Sequence, residues 1–234
     1  MSFRSKELAE KYGLSASTLR NYEAKGLLPP AERSAGGYRI YTERHEAYLA
    51  CIHAMAAAFG IEITGGVMHC LRRNELGEAL WIVRDREVKF HQEKEKLDQL
   101  IGELRLYSEG GQAYDLNQQF SIHEASRRTG APKSAIRYWE ECGLLTTDRN
   151  PENRYRLYGE AHLFKIGLIQ TLQSALYSND TISLKQSIAS LDLEDTQRTI
   201  QLADNIHAYL NRTIKLQVKA LYFLHRLVDL ENID

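Results

Sequence analysis

The stretch LRNYEAKGLL at 19–28 returns as IRYWEECGLL at 136–145, and this repetition constrains the fold more than any other feature of the 234-residue chain. Laid against itself at an offset of 117 positions, Phe3 on Phe120, the chain needs no gap as far as Ile52 on Ile169. Across that stretch roughly three in ten positions are identical, far above chance for an ungapped match. Glu7, Gly13, Ser17, Arg20 and Glu23 meet Glu124, Gly130, Ser134, Arg137 and Glu140. Tyr38, Arg39, Tyr41, Glu43 and His45 meet Tyr155, Arg156, Tyr158, Glu160 and His162. The chain therefore contains two copies of one small fold.

Each copy reads as the same series of elements. SKELAEKYG sets Leu8 and Ala9 beside charges and stops at Gly13, a short helix closed by glycine. Ser15 is placed to N-cap a second helix that Gly26 ends, and in the second copy Pro132 takes the first-turn position. Two short helices across a glycine-containing turn make a helix-turn-helix. Pro29, Pro30, Gly36 and Gly37 then forbid helix, while YRIY alternates as a strand does, so a hairpin or wing follows. ERHEAYLACIHAMAAAF resumes helical periodicity.

These phrases, TLRNYEAKGLL…GYRIY and AIRYWEECGLL…RYRLY, resemble the winged helix-turn-helix of the MerR family of transcription regulators. The motif spans about forty residues per copy, and with the helices that follow the resemblance covers most of the chain. Departures are visible: Asn21 replaces the first aromatic, Thr146 stands for Pro29, and Arg154 stands for Gly37. Arg33 and Arg149 fall one register apart, so the two wing tips should differ. The resemblance implies a sequence-specific DNA-binding transcriptional regulator whose two heads read unlike half-sites of an imperfect palindrome in double-stranded DNA. It further implies distortion of a promoter and RNA polymerase as a neighbour there. The alternative is an architectural or partner-binding protein that uses the heads for contacts of low specificity.

Affinity for DNA needs cations on phosphates, and sequence reading needs side chains on base edges. On the second helix of each head, Ser17, Thr18 and Arg20 project from the first two turns, with Lys133, Ser134 and Arg137 in the second copy. Arg20 and Arg137 lead, because a guanidinium can fork onto guanine or phosphate. Tyr22 and Tyr138 are candidates for hydroxyl-to-phosphate bonds. In the wings, Arg33, Tyr38 and Arg39, with Arg149, Arg154, Tyr155 and Arg156, should grip the backbone or a minor groove. Tyr41, Tyr158 and Trp139 read as packing residues. For any single arginine the competing reading is a solvated charge; recurrence at matched places favours contact.

Charge and composition narrow the rest. Residues 1–55 and 118–172 each carry eight Lys+Arg against six Asp+Glu, although the whole chain is −1. Two mildly basic units thus sit in an acidic frame. Three isolated cysteines, Cys51, Cys70 and Cys142, fit a reducing compartment, and no C-x-x-C supplies paired thiolates. A charged N-terminus and short apolar runs point to the cytoplasm, at the nucleoid, with no membrane partner. No nucleophile–base set or phosphate-cradling loop suggests an enzyme, and no cofactor or metal is expected. Trp81, Tyr107, Tyr114, Tyr209 and Tyr222 are either a ligand pocket or, more simply, core.

Between and after the copies lie two long helical segments. Val83, Phe90, Leu97 and Leu104 recur every seven residues in the first. The second carries one stripe of Ile200, His207, Ile214, Leu221 and Val228 and another of Ala203, Leu210, Gln217 and Leu224. Both patterns suit a coiled coil, with His207 and Gln217 as polar interruptions, or two amphipathic helices of an ordinary bundle. The expected organisation is mostly α: a first head at 1–78, a long helix at 79–107, a linker at 108–119, a second head at 120–192 and a long helix at 193–234. Family resemblance implies antiparallel pairing of such helices, so one chain should fold as an intrachain pseudo-dimer with its heads at opposite ends. A first helix about 43 Å long is compatible with heads one duplex turn, about 34–36 Å, apart. A homodimer through the C-terminal helix is the competing assembly.

Overall fold

Gly13 and Gly26 decide where the first two helices stop. Both adopt left-handed backbone, φ 64° and 71°, which an L side chain rarely tolerates. The structure, a computed structural model, describes residues 2–108, 118–149, 154–173, 179–191 and 196–233. Most of the expected linker, the second wing tip and Tyr114 therefore lie outside the described residues.

The order in the first half is β1 (Ser2–Arg4), α1 (Ser5–Lys11), α2 (Ala16–Ala24), β2 (Glu32–Arg33), β3 (Arg39–Thr42), α3 (Glu43–Phe59) and α4 (Ile61–Arg72). The long α5 (Leu76–Ser108) follows. The second half repeats the scheme with α6 (Ile122–Thr129), α7 (Lys133–Glu141), β4 (Asp148–Arg149), β5 (Arg156–Leu157), α8 (Glu160–Thr171) and α9 (Asn179–Ala189). It ends in α10 (Thr196–Glu231).

The molecule divides into two compact units, each drawing on both long helices. One unit comprises Met1–Val88 with Asn211–Asp234, the other Lys89–Leu210. In the first unit, β3 is the centre of a three-stranded antiparallel sheet in which Phe3 faces Tyr41 and Arg33 faces Arg39. Leu8, Leu19, Leu28, Tyr41, Leu49 and Met55 are fully buried beneath it. Ser15 caps α2, its hydroxyl accepting the Thr18 N–H at 3.1 Å. At the other end of α2, the N–H groups of Leu27 and Leu28 both donate to the Tyr22 carbonyl, which turns the chain and drops Leu28 into the core. From α4, Arg72 Nη1 donates to the Leu28 carbonyl at 2.6 Å, and His69 Nε2 lies 2.7 Å from the Lys25 carbonyl. The end of α10 is held by Glu231, which accepts from Arg44 Nε at 2.7 Å and from the Tyr48 hydroxyl at 3.0 Å.

The second unit builds its head the same way. Ser121 and Glu124 form a capping box on α6, and Gly130 ends it at φ 70°. Pro132 is the N-cap of α7, one position before the first turn expected for it. Leu144 and Leu145 repeat the paired donation, here to the Trp139 carbonyl. Phe120 and Tyr158 exchange backbone hydrogen bonds, as Phe3 and Tyr41 pair in the first head. Tyr41 and Tyr158 are fully buried and Trp139 nearly so, as packing residues should be.

Along α5 the expected stripe is inward: Val83, Phe90, Leu97 and Leu104 are all buried. Along α10, Ala203, Leu210, Gln217 and Leu224 are buried, but the companion stripe lies one residue earlier than expected. Ile206, Thr213, Ala220 and Leu227 are buried, whereas Ile214 is 52% exposed and His207 is only half-buried. A stripe at 203, 210, 217 and 224 can be completed either three or four residues along. Periodicity fits both, and only what packs against the helix selects one. His207 is accordingly no bare interruption of a seam: its Nε2 lies 2.6 Å from Asp98 Oδ1, and Asp98 also pairs with Lys94. Trp81 and Tyr222, 67% and 56% exposed, belong neither to a core nor to an aromatic pocket.

Candidate nucleic-acid interface

On α2, Ser17 and Arg20 face solvent, while Thr18 is half-buried and its hydroxyl lies 2.8 Å from the capping Ser15 hydroxyl. Arg20 makes no ion pair with any described residue. On α7, Lys133, Ser134 and Arg137 are exposed in the same way. The matched pairs Ser17/Ser134 and Arg20/Arg137 therefore present a hydroxyl and a guanidinium one turn apart on the outer face of each second helix. A free, solvated guanidinium on a short rigid helix can fork onto an anion or a base edge.

The two tyrosines grouped by the sequence are placed differently. Tyr22 is half-buried, packs on the core, and has its phenol pKa raised by that burial. Its structural counterpart is Trp139, also inward. Tyr138 instead occupies the place of Asn21, is 61% exposed, and pairs with the Cys142 thiol, which raises its pKa. Of the two, only Tyr138 presents its hydroxyl at the surface, beside that thiol.

In the wings the matched arginines split into two kinds. Arg39 Nε lies 2.7 Å from Glu23 Oε2, and Arg156 Nε lies 2.7 Å from Glu140 Oε2. The same ion pair thus occurs twice, tying each wing strand to the helix before it. Glu23 also accepts the Ala31 N–H at 2.8 Å; Glu140 accepts the Tyr158 and Thr147 hydroxyls at 2.8 and 3.0 Å. This accounts structurally for the recurrence of the arginine and the glutamate together.

Arg33 and Arg149 are exposed and structurally equivalent, although the ungapped alignment sets them one register apart. Arg33 faces Arg39 across the hairpin, and Arg149 faces Arg156. Each sends Nη1 back to a carbonyl at the wing tip, Gly37 at 3.3 Å and Arg154 at 3.5 Å. Between these paired arginines the second copy has one more residue than the first. Arg154 holds φ 59° where Gly37 holds φ 78°, so an exposed cation occupies the left-handed position that glycine fills in the first wing. Tyr38 and Tyr155, 79% and 73% exposed, flank those positions. Exposed apolar rings beside cations suit stacking or packing on a sugar-phosphate edge.

His45 and His162 are a pair of capping histidines, of which the sequence shows only the recurrence. The Thr42 N–H donates to His45 Nδ1, and the Gly159 N–H donates to His162 Nδ1, each at 3.0 Å. Each imidazole stands edge-on to the buried tyrosine four residues before it, Tyr41 or Tyr158. Burial holds the His45 pKa below its ordinary value, partly offset by the Pro30 carbonyl. The spacing Tyr-x-x-x-His in both copies was the available signal.

Among the described residues no group of three or more His, Cys, Asp or Glu is placed to hold a metal ion, and no helix is long and apolar enough to cross a membrane. Cys51 and Cys70 are buried, Cys142 exposed. Burial pushes the Cys51 thiol up to about 12.

Two heads, each a helix-turn-helix followed by a two-stranded wing, define the class: a tandem winged helix-turn-helix protein. Comparison with known families narrows it. Residues 4–41 match the MerR family regulatory protein, and residues 120–186 match the MerR HTH family regulatory protein. The chain carries two MerR-family helix-turn-helix domains. It is similar to the mercuric resistance operon regulatory protein of Bacillus cereus, 48% identical over 44 residues, which is 19% of this chain and 33% of that protein. It is also similar to the HTH-type transcriptional regulator CueR of Salmonella typhi, 38% identical over 64 residues, 27% of this chain and 46% of that one. A segment of 66 residues is 32% identical to the type II methyltransferase M.Eco47II of Escherichia coli, 28% of this chain and 16% of that enzyme. The chain thus spans less than half the length of each of these relatives. No solved structure matches it.

Proposed function

We propose that this chain is a sequence-specific DNA-binding transcriptional regulator whose two heads engage the two halves of one imperfectly palindromic promoter site. The observation that carries the reading is the matched, exposed presentation of Ser17 with Arg20 and of Ser134 with Arg137 on the second helix of each head. Arg33, Arg149, Arg154, Tyr38, Tyr155, Tyr138 and Lys133 surround these as backbone contacts. Arg39 and Arg156 act mainly by holding the wings, and Tyr22 and Thr18 by packing and capping. The differing residues, Lys133 and Arg154 in the second head against Ala16 and Gly37 in the first, favour unlike half-sites.

One chain completes the pair in this reading. Each compact unit already takes part of both long helices, as the intrachain pseudo-dimer requires. The second head arrives at high effective concentration because it is covalently joined to the first. Distortion of the DNA, with RNA polymerase as a neighbour, belongs to the same reading, as the MerR-family resemblance implies.

The test begins with a site selected from random duplexes by the full chain, then a titration on that site and on a scrambled duplex. Arg20→Ala and Arg137→Ala are each expected to cost about 1–3 kcal/mol on the selected site and to relax specificity in one half only. Saturation is expected at one chain per site. Equal affinity for the scrambled duplex would replace this reading with an architectural one, and two chains per site would remove the pseudo-dimer from it.

A further inference from the structure

The second unit contains a cavity of about 390 Å³ walled by α5, the end of α6 and α8, and none of the groups argued to face DNA lines it. That size falls in the range of small-molecule sites, about 300–1,000 Å³. Its wall is closed where α5 meets α8: a Cβ on Gly167 would lie 2.7 Å from Leu100 Cδ1, so a larger residue there would require the Leu100 side chain to shift. Phe164, nearly buried, supplies an apolar ring. Lys96 and Arg128 are matched by Glu103 and Glu160 in the lining, with Arg128 Nη1 3.2 Å from Glu160 Oε1. The lining is therefore neutral overall and favours a neutral occupant.

One polar group in this cavity has no hydrogen-bond partner among the described residues. Gln170 is nine-tenths buried and lines the cavity, yet its side-chain amide makes no hydrogen bond with any described residue. The amide carries two donors and an acceptor, and these stay open to the cavity, where water or a ligand can meet them. The matched position in the first head is His53, whose ring instead lies 5.8 Å from that of Tyr12, so the unanswered amide belongs to the second head alone.

We propose that this cavity is a binding site for a compact neutral molecule bearing a carboxamide, whose carbonyl and N–H pair with the Gln170 amide while its apolar body lies on Phe164 and Leu100. Two amides meet as reciprocal donor and acceptor, which a carboxylate cannot do. A carboxylate would also add a negative charge to a lining already balanced.

Benzamide is the probe, with benzoate and toluene as its comparisons, on the full chain labelled with ¹⁵N in glutamine side chains. The Gln170 side-chain resonance, assigned by its loss in Gln170→Leu, is expected to move saturably with benzamide and not with toluene. Benzoate is expected to bind at least about tenfold more weakly. Read by the side-chain resonance of Gln99, which also lines the cavity, the benzamide shift should be lost in Gln170→Leu and kept in the matched change His53→Leu. Should Gln170→Leu fail to fold, the isosteric Gln170→Glu, which removes the N–H donors, serves in its place and should weaken benzamide by at least about tenfold. No saturable shift up to about 10 mM benzamide, benzoate binding as tightly as benzamide, or undiminished affinity in the variant would each overturn the proposal.

Discussion

Glu140 joins three parts of the second head, and its removal offers the sharpest measure of what holds a wing in place. Its carboxylate accepts the Tyr158 hydroxyl at 2.8 Å and the Thr147 hydroxyl at 3.0 Å, and pairs with Arg156 at 2.7 Å. Tyr158 is fully buried, so Glu140→Ala strands a phenol away from water; a hydrogen bond to a charged acceptor there contributes about 1.5–3 kcal/mol. The Arg156 side chain is 37% exposed, so solvent screens the ion pair to about 0.2–1 kcal/mol. The Thr147 hydroxyl can turn to water and adds little. Glu140→Ala should therefore destabilise the second head by about 3 kcal/mol. Tyr158→Phe, which leaves the carboxylate to Arg156 and Thr147, should cost about 1 kcal/mol, and the double variant should cost less than the sum. Urea unfolding read by Trp139 fluorescence reports this head cleanly once the only other tryptophan, Trp81, is changed to Phe. The first head is the internal comparison: among the described residues the Tyr41 hydroxyl has no hydrogen-bond partner, so Glu23→Ala strands no phenol and should cost less than Glu140→Ala. A loss below about 1 kcal/mol for Glu140→Ala, or strict additivity with Tyr158→Phe, would refute the reasoning.

Three further outcomes follow from the same geometry. Arg154→Gly relieves a left-handed arginine, about 1–2 kcal/mol, but adds glycine entropy, about 0.5–1 kcal/mol, so urea stability should stay within about 1 kcal/mol. In the same variant, affinity for the selected duplex should fall and its salt slope shrink by about one. His45 is buried with its pKa below 6.5, so the unfolded chain takes up a proton that the folded imidazole refuses; stability is whole above pH 6.5 and declines below it. Urea midpoints at about pH 7.5 and 5.5 should differ less in His45→Asn than in the parent, and an equal difference would exclude that source. His207→Leu exchanges a pair whose side chains are 31% and 39% exposed for a partly covered apolar one, and thermal melts should stay within about 1 kcal/mol of the parent.

The repeat, the two helix-turn-helix units, their glycine stops and the buried Tyr41, Tyr158 and Trp139 were all legible in the sequence. They rest on local chemistry: a serine that caps, a glycine that turns left-handed, an aromatic spaced to fall inward. These act over a few residues and need no knowledge of what lies across the fold. The tertiary structure decided what local rules leave degenerate. It chose Ile206, Thr213, Ala220 and Leu227 over the stripe one residue later on α10, because both complete the same seam and only the neighbours differ in fit. It brought Arg33 and Arg149 into register, because strand pairing, not sequence offset, sets which residues face each other across a hairpin. It turned Arg39 and Arg156 toward Glu23 and Glu140, since a carboxylate 16 positions away in sequence becomes a partner only when the wing folds back on the helix. Matched recurrence identified residues that matter; whether each matters to DNA or to the fold depended on where its charge is met.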